Sequence, residues 1–221
     1  MGLVKIAAVL LALGKPALSA PAPEALESSA AAKYCDASTG ICYTEYTSPE
    51  NIAFRIAIPD TATAGSFDIL LQVVAPKAVG WAGIAWGGVM ANNPLTVAWA
   101  NPAGSSVVSS RKATSHTYPT AYPDATYTVL PGSTSNSTHW TLNALAKGVS
   151  SWGTTKLDPA ATAVSLAYAQ SAQAPSEPAN NASRFSIHQT KAKFSVDLSS
   201  CKIANFTALV QKASSAKPAT L

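Results

Sequence analysis

The chain has little charge and few of the side chains that carry most protein chemistry. Only 12% of its 221 residues are Asp, Glu, Lys or Arg, which argues against a long solvated helix or coiled coil. There are 3 His, 3 Cys and 2 Met. No Cys-x-x-Cys-His occurs, so no haem is attached in the c-type manner. No glycine fingerprint follows a strand, which excludes a Rossmann unit. His116, His139 and His188 lie 23 and 49 residues apart, a spacing unlike that of a copper or zinc site. No Ser-His-Asp grouping or paired carboxylates stand out, and Asp124 and Asp158 sit beside turn prolines. Basic residues are scattered, with Lys191 and Lys193 close together, so no stripe suits nucleic acid. No apolar run approaches the ~20 residues that a membrane-spanning helix needs.

What remains is a chain with 48% hydrophobic residues, enough for one folded domain. That length leaves no room for a two-domain flavin or nicotinamide dehydrogenase. The start reads as a secretory signal: Lys5, then eight apolar residues from Ile6 to Leu13, then Leu18-Ser19-Ala20 as the cleavage site. Removing residues 1–20 takes Lys5 and Lys15 with it, so the excess of positive charge falls from four to two. The mature chain is then soluble and extracellular, with a flexible lead-in over 21–33, a domain over 34–210 and a flexible tail over 211–221. Asn136-Ser-Thr, Asn181-Ala-Ser and Asn205-Phe-Thr are acceptors for N-glycosylation. Export also permits disulfides. Cys35 and Cys42 flank a turn-rich stretch and are the favoured pair; a staple from either of them to Cys201 is the alternative.

From Ile41 onward, short β-prone runs alternate with Gly and Pro turns, the pattern of an all-β sandwich or barrel. Ile52, Phe54, Ile56 and Ile58 alternate as in a half-buried strand. Helical period is clear only from Ile203 to Lys212.

Once the signal is removed, Met90 is the only methionine. It lies in a Gly87-Gly88 loop between two apolar strands, where a residue filling a gap at the loop base is the alternative reading. His188 enters a late strand. Thioether plus imidazole is a ligand set that haem iron uses in electron-transfer proteins. With both axial positions filled, such a site moves single electrons and has no catalytic site of its own.

The segments GWAGIAWGGVMANNPLTVAWAN, VVSSRKATSHTYPTAY, STSNSTHWTL and RFSIHQTKAKF resemble the cytochrome domain of fungal cellobiose dehydrogenase, a member of the DOMON group. The resemblance runs from about Tyr34 to Phe206. It implies an immunoglobulin-like antiparallel β-sandwich with non-covalent haem b at one end, held by Met90 and His188 as axial ligands. It implies an electron donor of the flavin dehydrogenase type. Implied acceptors are a copper polysaccharide monooxygenase, ferric iron complexes or quinones. Near the haem propionates it points to Arg111, His116 and Tyr118, with His116 where a tyrosine is expected. Ala146 and Val149 stand where many relatives have a cysteine pair, and Cys35 with Cys42 would take over as the staple. Two other readings compete. One is a haem-free carbohydrate-binding module using Trp81, Trp86, Trp99, Trp140 and Trp152 as stacking surfaces. The other is the ectodomain of a membrane ferric reductase.

Overall fold

The computed structural model describes residues 32–215, so the expected signal and most of the expected lead-in lie outside the described residues. In chain order the first strands are β1 (Ala32–Cys35), β2 (Cys42–Thr47), β3 (Ala53–Pro59), β4 (Ile69–Pro76), β5 (Trp81–Ala85) and β6 (Pro94–Ala100). Then come β7 (Ser106–Lys112), β8 (Thr120–Ala121), β9 (Thr126–Val129), β10 (Thr134–Ser135) and β11 (His139–Lys147). The last are β12 (Ser151–Trp152), β13 (Thr155–Lys156), β14 (Val164–Ser171), β15 (Thr190–Val196) and β16 (Lys202–Ile203), followed by helix α1 (Phe206–Ser215). β1 therefore begins just inside the expected lead-in, and α1 extends past residue 210.

Two sheets face each other as an antiparallel β-sandwich. The first runs β1-β2-β3-β4-β11-β10, with β9 also on β11 and β16 parallel to β3. The second runs β15-β14-β5-β6-β7-β8. A small β12–β13 hairpin stands apart. Alternate residues of both sheets point inward, as a strand's period of two requires. Phe54, Ile56, Leu71, Val73, Trp140 and Leu142 from one sheet meet Ala82, Ile84, Ala98, Leu166, Tyr168 and Phe194 from the other in one core. Tyr46 stacks on Phe194 across the gap, with ring centroids 4.2 Å apart.

The strand carrying Ile52 to Ile58 departs from the half-buried pattern. Ala53 and Ala57, on its other face, are buried as well. The reason is tertiary. Phe206 and Ala213 of α1 pack with Ile41, Tyr43, Ala57, Leu70 and Leu145 as a second apolar cluster over that face. Beside the cluster, Glu45, Arg55, Gln72 and Asn143 sit opposite one another across β2, β3, β4 and β11 and join as a hydrogen-bonded ladder. Helix and ladder close the outer face of the first sheet. Cys35 and Cys42 are bonded to each other. Cys201 is free and buried, and burial pushes its thiol up to about 12.

Every tryptophan is buried, between 0% and 6% exposed. Each indole N–H donates inside the protein: to Ser186, Thr96, the Pro178 carbonyl, the Val79 carbonyl and Asn93, for Trp81, Trp86, Trp99, Trp140 and Trp152 in turn. Rings this buried do not form an exposed stacking surface for a sugar chain.

Candidate functional site

The outer face of the second sheet carries a cavity of about 610 Å³. Its volume lies in the roughly 300–1,000 Å³ range of small-molecule and cofactor sites. The floor follows from strand alternation. Where Leu166 and Tyr168 point into the core, Ala167 and Ala169 point out. Gly83 and Ala85 of β5 do the same beside Ile84. Four small residues on two paired strands leave a shallow depression, walled by Leu95, Val97, Trp81 and Phe185.

Met90 and His188 both line this cavity. The chain leaves β5 through Trp86, which is fully buried and anchored by Thr96, whose hydroxyl also meets Tyr127 at 2.5 Å. Gly88 then takes a φ of 75°, a left-handed backbone that L side chains rarely adopt. The loop returns to β6 through Asn92, whose N–H donates to the Ala113 carbonyl at 2.6 Å. His188 is fixed from both sides. Ser186 is bonded to Trp81 and Ser171, and the Gln189 N–H donates to the Gln170 carbonyl.

His116 and Tyr118 line the same cavity from the segment after β7. The Tyr118 hydroxyl accepts from the Phe185 N–H at 3.2 Å. Arg111 is elsewhere. Its side chain is 5% exposed and does not line the cavity. Its guanidinium donates to Ser109 and to the carbonyls of Asn181 and Ser183, and lies 5.6 Å from the centre of the Phe185 ring. It pins the segment bearing Phe185 to the sheet. The cations that do line the cavity are Lys191 and Lys193 on β15. They were visible in the sequence as a close pair of positive residues, but nothing there tied them to a site. Arg111→Ala should therefore act on stability. Charge-assisted bonds and the stranded Ser183 carbonyl predict a loss of about 2–4 kcal/mol in urea unfolding. An unchanged midpoint would show that the pin is dispensable.

Burial first, and the Lys191 ammonium second, hold the His188 imidazole below its ordinary value of 6.5. The neutral ring, which is the form that binds a metal, thus persists to lower pH. In the cofactor-free protein the His188 ring protons should titrate below 6.5 by NMR. The folded state resists this proton, so the stability tied to the neutral ring is present above pH 6.5 and falls as pH drops through the lowered value. A midpoint at or above 6.5 would contradict this.

The residues fit a flat, largely apolar group with a metal centre and acidic edges. The floor is low and apolar, one thioether and one imidazole reach the space, and Lys191, Lys193, His116 and Tyr118 provide polar contacts around it. Among the described residues, three of the four large apolar residues most exposed to solvent, Val89, Tyr118 and Ile187, also line it, with Ile187 85% exposed.

The family model for the cytochrome domain of cellobiose dehydrogenase matches residues 34–208. Among solved structures, the chain is similar to the cytochrome b domain of pyranose dehydrogenase from Coprinopsis cinerea. The TM-score is 0.77 at 22% identity, over 87% of this chain and 100% of that one. It is also similar to the cytochrome domain of Myriococcum thermophilum cellobiose dehydrogenase. There the TM-score is 0.73 at 22% identity, over 88% of this chain and 100% of that one.

Proposed function

The chain belongs to the family of cellobiose dehydrogenase cytochrome domains, and on that premise we propose that it is a secreted b-type cytochrome module. It takes single electrons from a flavin dehydrogenase and passes them to a copper polysaccharide monooxygenase, ferric complexes or quinones. One observation carries this reading: the methionine of the Gly87-Gly88 loop and the histidine just before β15, 98 residues apart in sequence, line the same apolar cavity.

Met90 and His188 would hold haem b, which would supply a one-electron iron couple. The residues do the rest. Met90 presents a soft sulfur, which favours the reduced metal. His188 presents a neutral imidazole, kept so by its burial and by Lys191. Gly83, Ala85, Ala167 and Ala169 give a planar group room to lie against the sheet. Lys191 and Lys193, with His116 and Tyr118, are the partners for its carboxylates. Arg111 supports the Phe185 wall from behind. Val89, Tyr118 and Ile187 form the apolar approach for a redox partner. The sequons at Asn136, Asn181 and Asn205 accept glycans on export, and all three asparagines are exposed.

The test is an absorption spectrum of purified protein, oxidised and then reduced, before and after hemin addition. A six-coordinate spectrum that changes on reduction and is altered in Met90→Ala supports the reading. A colourless protein that takes up no hemin overturns it.

A further inference from the structure

Asn93 stands at the junction of the Met90 loop and β6. Its side-chain N–H groups donate to the Val89 carbonyl at 2.9 Å and to the Ala91 carbonyl at 3.1 Å. These are the two carbonyls that flank Met90 in the chain. Its Oδ1 accepts from the Trp152 indole N–H at 2.9 Å. The three partners fix which end of the amide is nitrogen, because a flipped amide would set oxygen against two carbonyls and N–H against N–H.

The surroundings are shaped for this amide. A Cβ at Gly87 would overlap the Asn93 side chain, so glycine is what lets the amide lie under the loop. Trp152 is 6% exposed. It comes from the β12–β13 hairpin, 59 residues further along the chain. The loop is thus tied at its centre to a residue of the buried core that lies outside the sheet bearing the loop. A methionine side chain has three rotatable bonds and settles readily into other pockets. Only a fixed backbone on both sides of Met90 keeps its sulfur aimed at one place.

We propose that Asn93, braced by Trp152, is the positioning residue that holds the Met90 sulfur in the cavity. The inference rests on the reading of Met90 as an axial ligand. It extends that reading to a hydrogen-bonded pair of which neither member lines the cavity.

The experiment uses hemin-loaded full-length protein, reduced under carbon monoxide, which competes for the position the sulfur occupies. Asn93→Asp keeps size and the oxygen for Trp152, but sets a carboxylate oxygen against the Val89 and Ala91 carbonyls. It should speed carbon monoxide binding at least ~10-fold, the low end of what loss of an outer-shell partner costs a metal site. Hemin retention, which depends on His188, should stay close to wild type. Trp152→Phe removes the indole donor together with part of a buried ring, leaves the Asn93 amide and its bonds to Val89 and Ala91 intact, and should shift the rate in the same direction by less. Hydrogen exchange of cofactor-free protein gives an independent readout, with amides 88–92 losing protection in Asn93→Asp. Wild-type carbon monoxide kinetics and wild-type exchange in both variants would overturn the inference. If Met90→Ala opens the site to carbon monoxide while Asn93→Asp does not, the positioning role alone fails. If Met90→Ala also changes nothing, the ligand reading fails and this inference falls with it.

Discussion

Replacing His188 with alanine will leave a folded protein that has lost its grip on haem. The imidazole contributes nothing to the core between the sheets, so removing it should barely move the thermal midpoint. Hemin affinity should fall by at least ~100-fold, since loss of a mere outer-shell partner already costs roughly 10–100-fold in a metal site. Met90→Ala should behave differently. A thioether is the weaker ligand, so hemin stays on His188 while the spectrum moves from six-coordinate toward five-coordinate. Transfer of hemin to apomyoglobin measures retention, and the Soret band measures coordination. Imidazole added to His188→Gly should restore the spectrum in part, which separates a lost ligand from a damaged fold. Equal hemin transfer from His188→Ala and wild type would remove His188 from the site.

The second large effect comes from filling the floor. Ala167 faces the cavity from β14 while its neighbours Leu166 and Tyr168 face the core. A tryptophan there has space to enter without disturbing those neighbours. Ala167→Trp should keep the stability of the cofactor-free protein within about 0.5 kcal/mol, as substitutions away from packed or buried polar groups do. It should lower hemin affinity ~100-fold or more, equivalent to about 2.8 kcal/mol. Both ligands remain in this variant, so the effect isolates the cavity itself. Unchanged hemin uptake would place the binding site elsewhere on the surface.

The sandwich was legible because its strands announce themselves one at a time. Runs such as Ala53–Pro59 and Ile69–Pro76 carry their own period and their own turns. What the period does not carry is the partner across the outer face. The strand from Ile52 reads as half-buried because α1, which covers it, lies about 150 residues further on. The ligand pair was legible because methionine and histidine are scarce and sit in distinctive loops. Arg111 shows the limit. On a strand, side-chain direction alone does not tell a cation lining a cavity from one buried beneath the Asn181–Ser183 segment. Asn93 shows another. Asn-Asn-Pro reads as a turn, and only the returning Trp152 makes its amide a brace. The floor residues were silent for a plainer reason: an alanine marks a cavity only by what it leaves empty.

The cavity rests on the outside of a sheet whose inner face is already complete. The buried cluster between the sheets includes neither Met90 nor His188. If the two side chains hold haem as proposed, folding and loading become separable, because the core between the sheets closes without either of them.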